Sequence, residues 1–401
     1  IGGNPGLTAA DATFSTDTPD QQPRGYALDL DGTGDYLNLG DTLDRGTGDF
    51  SVCFWAKVTH EDMDDQSFIS KNQDGNNRWR IRIVNAAEGS AGKILVTGNS
   101  GGVNAFAIMG AGVTDALLDT WMHVGATIDR DGDGVIYVNG VTTTYGSTTD
   151  ISGATPEGVN LDNTGDFQIG AFGAAGMEGQ MDGVAIWDEA LPADAVAAIY
   201  AAGRGHDLTT ATGNYDGDWT DDLQGYWRMG DGQDDNVEAG VIHDAHNPGF
   251  GSQLWDGTQG DDANWVKHGN NTIAEDDDAV RVTFVDNGDG AYILFSDATD
   301  LNTNLTVGAT YRCTADVKTN TGSIELSVRH GSSNTNSTSV TSTDYVNREM
   351  FFVCEHATND RLEFNSMGTG EIGWVRNISL KKLNGNPGIT SGNPVFVKLP
   401  I

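Results

Sequence analysis

Short runs in which apolar residues recur at every second position fill most of this chain, and glycine or aspartate ends each run before a helix could form. "FSVCFWAKV" sets Phe50, Val52, Phe54, Ala56 and Val58 on one face. "RWRIRIV", "KILVTGN", "AFAIMGAG", "WMHVGATID", "VIYVNGV", "FQIGAFG" and "MDGVAIWDEA" continue the series at roughly 8- to 15-residue intervals. Such spacing makes antiparallel strands with tight turns, and the layer that buries their apolar faces is a second sheet. The pattern therefore predicts an all-β chain. One stretch breaks it: "PADAVAAIYAAG" has Val196, Ile199 and Tyr200 at helical spacing, Pro192 at its start and Gly203 at its end.

The turn "DRDGDG" tests this reading, because Asp129, Asp131 and Asp133 followed by Gly134 imitate a calcium-binding helix–loop–helix. The twelfth loop position is Gly140 where that motif needs a bidentate Glu, and both flanks are strand-like. A β-meander is the better account, with a second turn at Asn139-Gly140. Calcium remains an expectation of another kind, held by oxygen-rich turns at Asp31, Asp35, Asp129, Asp131 and Asp133.

The chain has 401 residues, room for two or three domains, and 37% hydrophobic content gives it real cores. Its net charge of −36, from 58 acidic against 22 basic residues, repels nucleic acid and anionic membranes. No apolar run is long enough to insert in a membrane. An acidic, lysine-poor composition suits a salty setting. The chain starts at Ile1 with no visible signal peptide, as a processed protein or a piece of a longer one does. The cysteines are Cys53, Cys313 and Cys354, an odd set without a CxxC pair. Cys313 and Cys354 are expected to be buried thiols, with a pairing left open.

Residues 1–23 lack periodicity and read as an extended arm. Residues 24–252 carry the first series of strands, with "LQGYWRMGDG" (223–232) completing it. Residues 253–384 carry a second series that includes "AVRVTFV", "TYRCTADVKT", "SIELSVRHG", "NREMFFVCEH" and "GWVRNISLKKL". Residues 385–401 form a tail. "GNPGLT" (Gly3–Thr8) and "GNPGIT" (Gly385–Thr390) nearly repeat each other across the chain and predict a modular joint. The apolar residues of arm and tail, such as Leu7, Phe14, Phe396 and Leu399, need burial. "PVFVKLPI" is expected to add a strand to a neighbouring subunit's sheet, so that arm and tail order only in an assembly.

"DYLNLG", "FSVCFWAKV", "TWMHVGATIDRDGDGVIYVNG", "FQIGAFG" and "MDGVAIWDEALPADAVAAIYAAG" resemble, in order and spacing, the laminin-G-like, concanavalin A-like lectin sandwich. The second series is similar to a carbohydrate-binding jelly roll, a looser match. The resemblance implies a concanavalin A-like antiparallel β-sandwich followed by a second jelly-roll β-sandwich.

Hydrolases of the concanavalin type carry Glu-x-Asp-x-x-Glu on one strand, and this sequence has no such spacing. It also lacks a Gly-x-Ser-x-Gly elbow, a phosphate-binding loop and HExxH, so it is expected not to be an enzyme. "HDAH" (His243, His246) is expected in a surface loop. Sugar sites pair aromatic faces with polar groups. Trp79, Trp219, Trp227, Trp255 and Trp265 are the candidates for a glycan, whereas Trp55, Trp121, Trp187 and Trp374 are expected in cores.

The order of laminin-G-like module, "YWRMGDG" and jelly roll resembles structural and appendage proteins of tailed phages. It implies a non-enzymatic virion surface protein (capsid decoration, fibre or tail appendage). Its partners would be other virion proteins or copies of itself, and host glycans. The alternative is a secreted bacterial adhesin or polysaccharide-binding protein.

Overall fold

The computed structural model describes residues 26–59, 66–84, 92–112, 117–142, 144–152, 158–173, 175–232, 235, 241–247, 250–254, 265–267, 269–285, 288–294, 305–330, 333–356, 360–366, 369–391 and 395–398. The strands predicted by alternation form two sheet pairs, antiparallel throughout the described ladders. A nine-stranded sheet runs in the order 147–150, 133–138, 122–128, 50–58, 175–187, 26–33, 395–398, with 171–172 and 223–227 also pairing to 175–187. Opposite it lies an eight-stranded sheet in the order 241–242, 388–391, 36–38, 166–169, 67–74, 77–83, 93–100, 103–112. Phe50, Trp79 and Phe106 meet between them, with Phe50–Trp79 ring centroids 5.3 Å apart.

The second sandwich packs a six-stranded sheet (272–276, 279–283, 372–383, 310–319, 346–353, with 250–253 beside 372–383) on a five-stranded one (266–267, 288–294, 361–366, 324–330, 333–340). Its core contains Val282, Tyr311, Cys313, Val317, Leu326, Phe352, Phe364 and Leu380. Cys313 and Cys354 are both buried free thiols, each pushed up to about 12 chiefly by burial.

The tail does not wait for a neighbour. Gly388–Ser391 enters the eight-stranded sheet between 241–242 and 36–38, and Val395–Lys398 pairs with Tyr26–Asp29 in the nine-stranded sheet. After building the second sandwich the chain thus returns and adds one strand to each sheet of the first. The second sandwich is inserted into the first, so a boundary at 384 separates segments that belong together. The free edge of 26–33 accepts this chain's own strand, the simplest way to satisfy its backbone groups. The arm, including Gly3–Thr8, lies outside the described residues.

At "DRDGDG" the meander is confirmed: Met122–Ile128, Asp133–Val138 and Ser147–Asp150 pair in sequence. The left-handed backbone falls at Asn139 (φ +53°) and Gly140 (φ +76°), and no residue from Asp129 to Gly134 has positive φ. Gly134 is required by packing instead, since a Cβ there would lie 2.2 Å from Ile108 Cδ1. The predicted helix forms over Ala193–Ala202 and presses Ala195, Val196 and Ile199 onto the outside of the nine-stranded sheet. No helix among the described residues is long and apolar enough to cross a membrane.

Candidate functional site

The outer face of the second sandwich's six-stranded sheet, uncovered among the described residues, gathers the polar and aromatic groups that a ligand could use. In Thr310–Thr319, Tyr311, Cys313, Ala315 and Val317 point inward, which turns Arg312, Thr314, Asp316 and Lys318 outward. In Ile372–Leu383, Val375 points inward and its neighbours Trp374 and Arg376 point out. Register then places Lys318 and Arg281 opposite Trp374, and Asp316 opposite both Arg376 and Asn347. A slip in the ladder beside Asp316 leaves Asn377 exposed at φ +51°.

These side chains hold one another. Trp374 Nε1 donates to Asp276 at 2.8 Å, and Arg376 pairs with Asp278 at 2.7 Å. Lys318 Nζ lies 4.8 Å from the Trp374 ring centroid and 4.4 Å from that of Tyr345, which also carries the Arg376 guanidinium at 3.7 Å. Asp316 accepts from the amides of Asn347 at 2.9 Å and Asn377 at 2.7 Å, and these bonds hold its carboxyl below the usual range. Arg312 pairs with Glu349 at the other end of the face. Acidic residues outnumber basic ones 58 to 22 in the chain, yet Arg281, Arg312, Lys318, Arg376 and Lys381 here offset Asp276, Asp278, Asp316 and Glu349. The face is a flat, nearly neutral platform with Trp374 and Tyr345 half-buried in it.

The tryptophans expected to meet a glycan lie elsewhere. Trp79 and Trp227 have no exposure and sit in the first core, where Phe167 lies 5.6 Å and 5.8 Å from them by ring centroids. Trp265 is buried in the second core. All three are corrected to core residues: alternation turns Trp79 and Trp227 between the sheets, and Trp265 packs into the core just before the short strand Val266–Lys267. Trp219, half-buried on a short helix at Gly217–Asp221, leans on the apolar cluster under the longer helix. Trp255 lies outside the described residues. Trp55 and Trp187 are buried as expected, but Trp374 and Trp121 are not. Trp121 precedes its strand, half-buried beneath the Arg204 guanidinium at 4.4 Å. Sequence reasoning missed the platform, although alternation in "TYRCTADVKT" and "GWVRNISLKKL" carried the signal.

Asp31 accepts from the Thr33 amide at 2.8 Å, and Asp35 is buried. Asp131 and Asp133 are exposed, while Asp129 accepts from the Asp131 amide at 3.3 Å and is pushed up, first by burial. Among the described residues no three His, Cys, Asp or Glu side chains gather to hold a metal ion. "HDAH" is a surface loop only at His246, which is exposed: His243 and Asp244 are fully buried, and Asp244 accepts from the amides of Tyr226 at 2.9 Å and Asn386 at 3.1 Å. Behind Trp55, a cavity of about 10 Å³ lined by Cys53, His123 and Arg204 has room for about one water, far less than a sugar ring. Burial keeps His123 there neutral, with its pKa pushed down to about 3.

Residues 31–197 match the family model of the concanavalin A-like lectin/glucanases superfamily. Over that stretch, less than half of the chain, the first sandwich is similar to this superfamily. None of the curated proteins compared with the chain matches it. Among solved structures, a native heptameric SAP-like pentraxin from Limulus polyphemus is similar over 44% of this chain and 82% of its own, at 20% identity and TM-score 0.33. The CBM22-1 xylan-binding domain from Paenibacillus barcinonensis Xyn10C is similar over 34% of this chain and 96% of its own, at 10% identity and TM-score 0.26. A tailspike protein from an Escherichia coli O157:H7 bacteriophage is similar over 48% of this chain and 29% of its own, at 13% identity and TM-score 0.32.

Proposed function

We propose that this chain is a non-catalytic glycan-binding protein whose ligand lies on the outer platform of the inserted sandwich. The observation that carries the proposal is the Trp374–Lys318–Tyr345 cluster. Sugar rings stack their C–H faces on aromatic rings and bond their hydroxyls to carboxylates, amides and guanidinium groups. Trp374 supplies the first, with Tyr345 holding Lys318 and Arg376 beside it, and Asp276, Asp316, Asn347, Asn377 and Arg376 supply the second on one rigid sheet. The absence of the paired-carboxylate strand motif supports binding without hydrolysis. We place the protein on the surface of a phage virion, a reading supported by the order of its two modules.

Titration of the full chain with xylan, laminarin, dextran, alginate and pectin tests the glycan. Binding of at least one, weakened tenfold or more by Trp374→Ala (about 1.4 kcal/mol), is the expected result. A variant that binds as tightly as the parent, or a chain that binds none, overturns it. Mass spectrometry of purified particles tests the location, and detection in phage-free culture supernatant instead would make the chain a secreted adhesin.

A further inference from the structure

The returning segment is read by the first sandwich one residue at a time. Gly385 adopts φ +62°, and a Cβ there would lie 2.8 Å from Asp244 Cβ. Asn386 meets three separate stretches of the first sandwich. Its amide donates to Asp244 at 3.1 Å, its carbonyl accepts from Trp227 Nε1 at 2.7 Å, its Nδ2 donates to the Gln224 carbonyl at 3.3 Å, and its Oδ1 accepts from the Thr42 hydroxyl at 2.5 Å. Pro387 is buried, and Gly388 is also buried at a point where a Cβ would come within 2.4 Å of Leu37 Cγ. Gly-Asn-Pro-Gly is therefore a plug, in which Gly385, Asn386 and Gly388 are fixed by contacts in the socket and Pro387 is buried.

The same letters, again followed by an aliphatic residue and threonine, stand at Gly3–Thr8. Continued in the same register, Phe14 matches Phe396. The repeat thus carries the glycine, asparagine and glycine that the socket contacts at 385, 386 and 388 require. We propose that Gly3–Thr8 seats in the Gly-Asn-Pro-Gly socket of another copy of this chain and so joins copies head to tail.

In this exchange the arm of one copy takes the place of the near-identical Gly385–Thr390 segment of another. The resident plug is tethered, so its high effective concentration keeps dilute chains closed. Crowding copies together shifts the balance toward exchange. Access is open: a cavity of about 190 Å³, bounded by Thr42, Val307, Lys382 and Pro387, borders the plug.

Sedimentation of the full-length chain over a range of concentrations tests the exchange. Asn386→Ala weakens the resident plug and is expected to produce concentration-dependent dimers and longer species, which the added Asn4→Ala removes. Single and double variants that sediment alike overturn the proposal. A full-length chimera, with residues 385–396 replaced by the sequence of residues 3–14, keeps the test decisive if Asn386→Ala fails to fold. The chimera is expected to melt within about 3 °C of the parent. A chimera that falls further than that, to the level of Asn386→Ala or to an unfolded state, also overturns the proposal.

Discussion

The two sandwiches treat the outer faces of their principal sheets in opposite ways. On the first, Cys53, Tyr137, Ala185 and Trp187 point away from the inter-sheet core and are covered by the helix and by Leu191, Leu208 and Tyr215. On the second, Arg312, Asp316, Lys318, Trp374 and Arg376 occupy the equivalent face with no element over them among the described residues. The sequences differ accordingly. "VAIW" (Val184–Trp187) is apolar without interruption because both of its faces are buried, whereas "TYRCTADVKT" alternates because only one is. Continuous apolar runs mark covered sheets, and alternation marks sheets with a face to spare.

The largest expected effect separates an inward from an outward tryptophan. Trp79→Ala, in the closed core, should cost about 3–5 kcal/mol, read by chemical denaturation. Trp374→Ala should cost less than about 1 kcal/mol while it removes glycan binding. Equal costs would erase the distinction between the two faces.

Next in size is Asn386→Ala, which strips the side-chain bonds to Thr42 and Gln224 from the plug. It should destabilise the chain by about 1–3 kcal/mol. A loss confined to the second sandwich would show that the returning segment does not close the first.

Acid should act with opposite sign on Asp235 in the first sandwich and Asp316 in the second. Asp235 is buried in the first and pushed up to about 6, mainly by burial, despite amide bonds from Gly230, Gly232 and His243. Its folded pKa lies above the unfolded value, so the folded chain binds more protons between about pH 4 and 6. Acidification from pH 7 to 5 should therefore add about 1 kcal/mol of stability through Asp235, opposed by about 2 kcal/mol lost as the unfolded chain protonates His123, so the Asp235 contribution is read as the difference in pH response between the parent and Asp235→Asn. Asp316 on the platform is held low, so its contribution is present above the ordinary aspartate range and is lost only as pH falls through and below that range. An Asp235→Asn variant whose melting temperature changes between pH 7 and 5 as the parent's does would contradict this division.

The smallest effect concerns the half-buried Trp121, whose removal should cost about 1 kcal/mol, chiefly its contact with Arg204. A core-sized loss would restore the reading of Trp121 as an interior residue. Calcium at the turns of Asp31, Asp35, Asp129, Asp131 and Asp133 is expected to raise the melting temperature by a small increment over magnesium at equal ionic strength. Equal melting temperatures in the two would remove these turns as a metal site.

The strands, the helix and the two sandwiches were legible because period and turn chemistry are local properties of the chain. Trp227 and the returning segment were not, because their meaning depends on contacts more than a hundred residues apart, such as Trp227 with Asn386. "HDAH" misled for the same reason: its polarity suggested a surface, while Asp244 is a buried acceptor for three chain segments. Trp374 was misjudged because tryptophan on a strand is usually core, and Val375 beside it already filled the inward position. Sequence names the alternation but cannot tell which face a distant helix will cover.

The central claim, that the uncovered face of the inserted sandwich takes the ligand, is tested most directly by hydrogen exchange of the full chain with and without the polysaccharide it binds. The account predicts slowed exchange confined to 279–283, 310–319, 346–353 and 372–383, with the first sandwich unchanged. Protection on the first sandwich, with these strands unaffected, would contradict it.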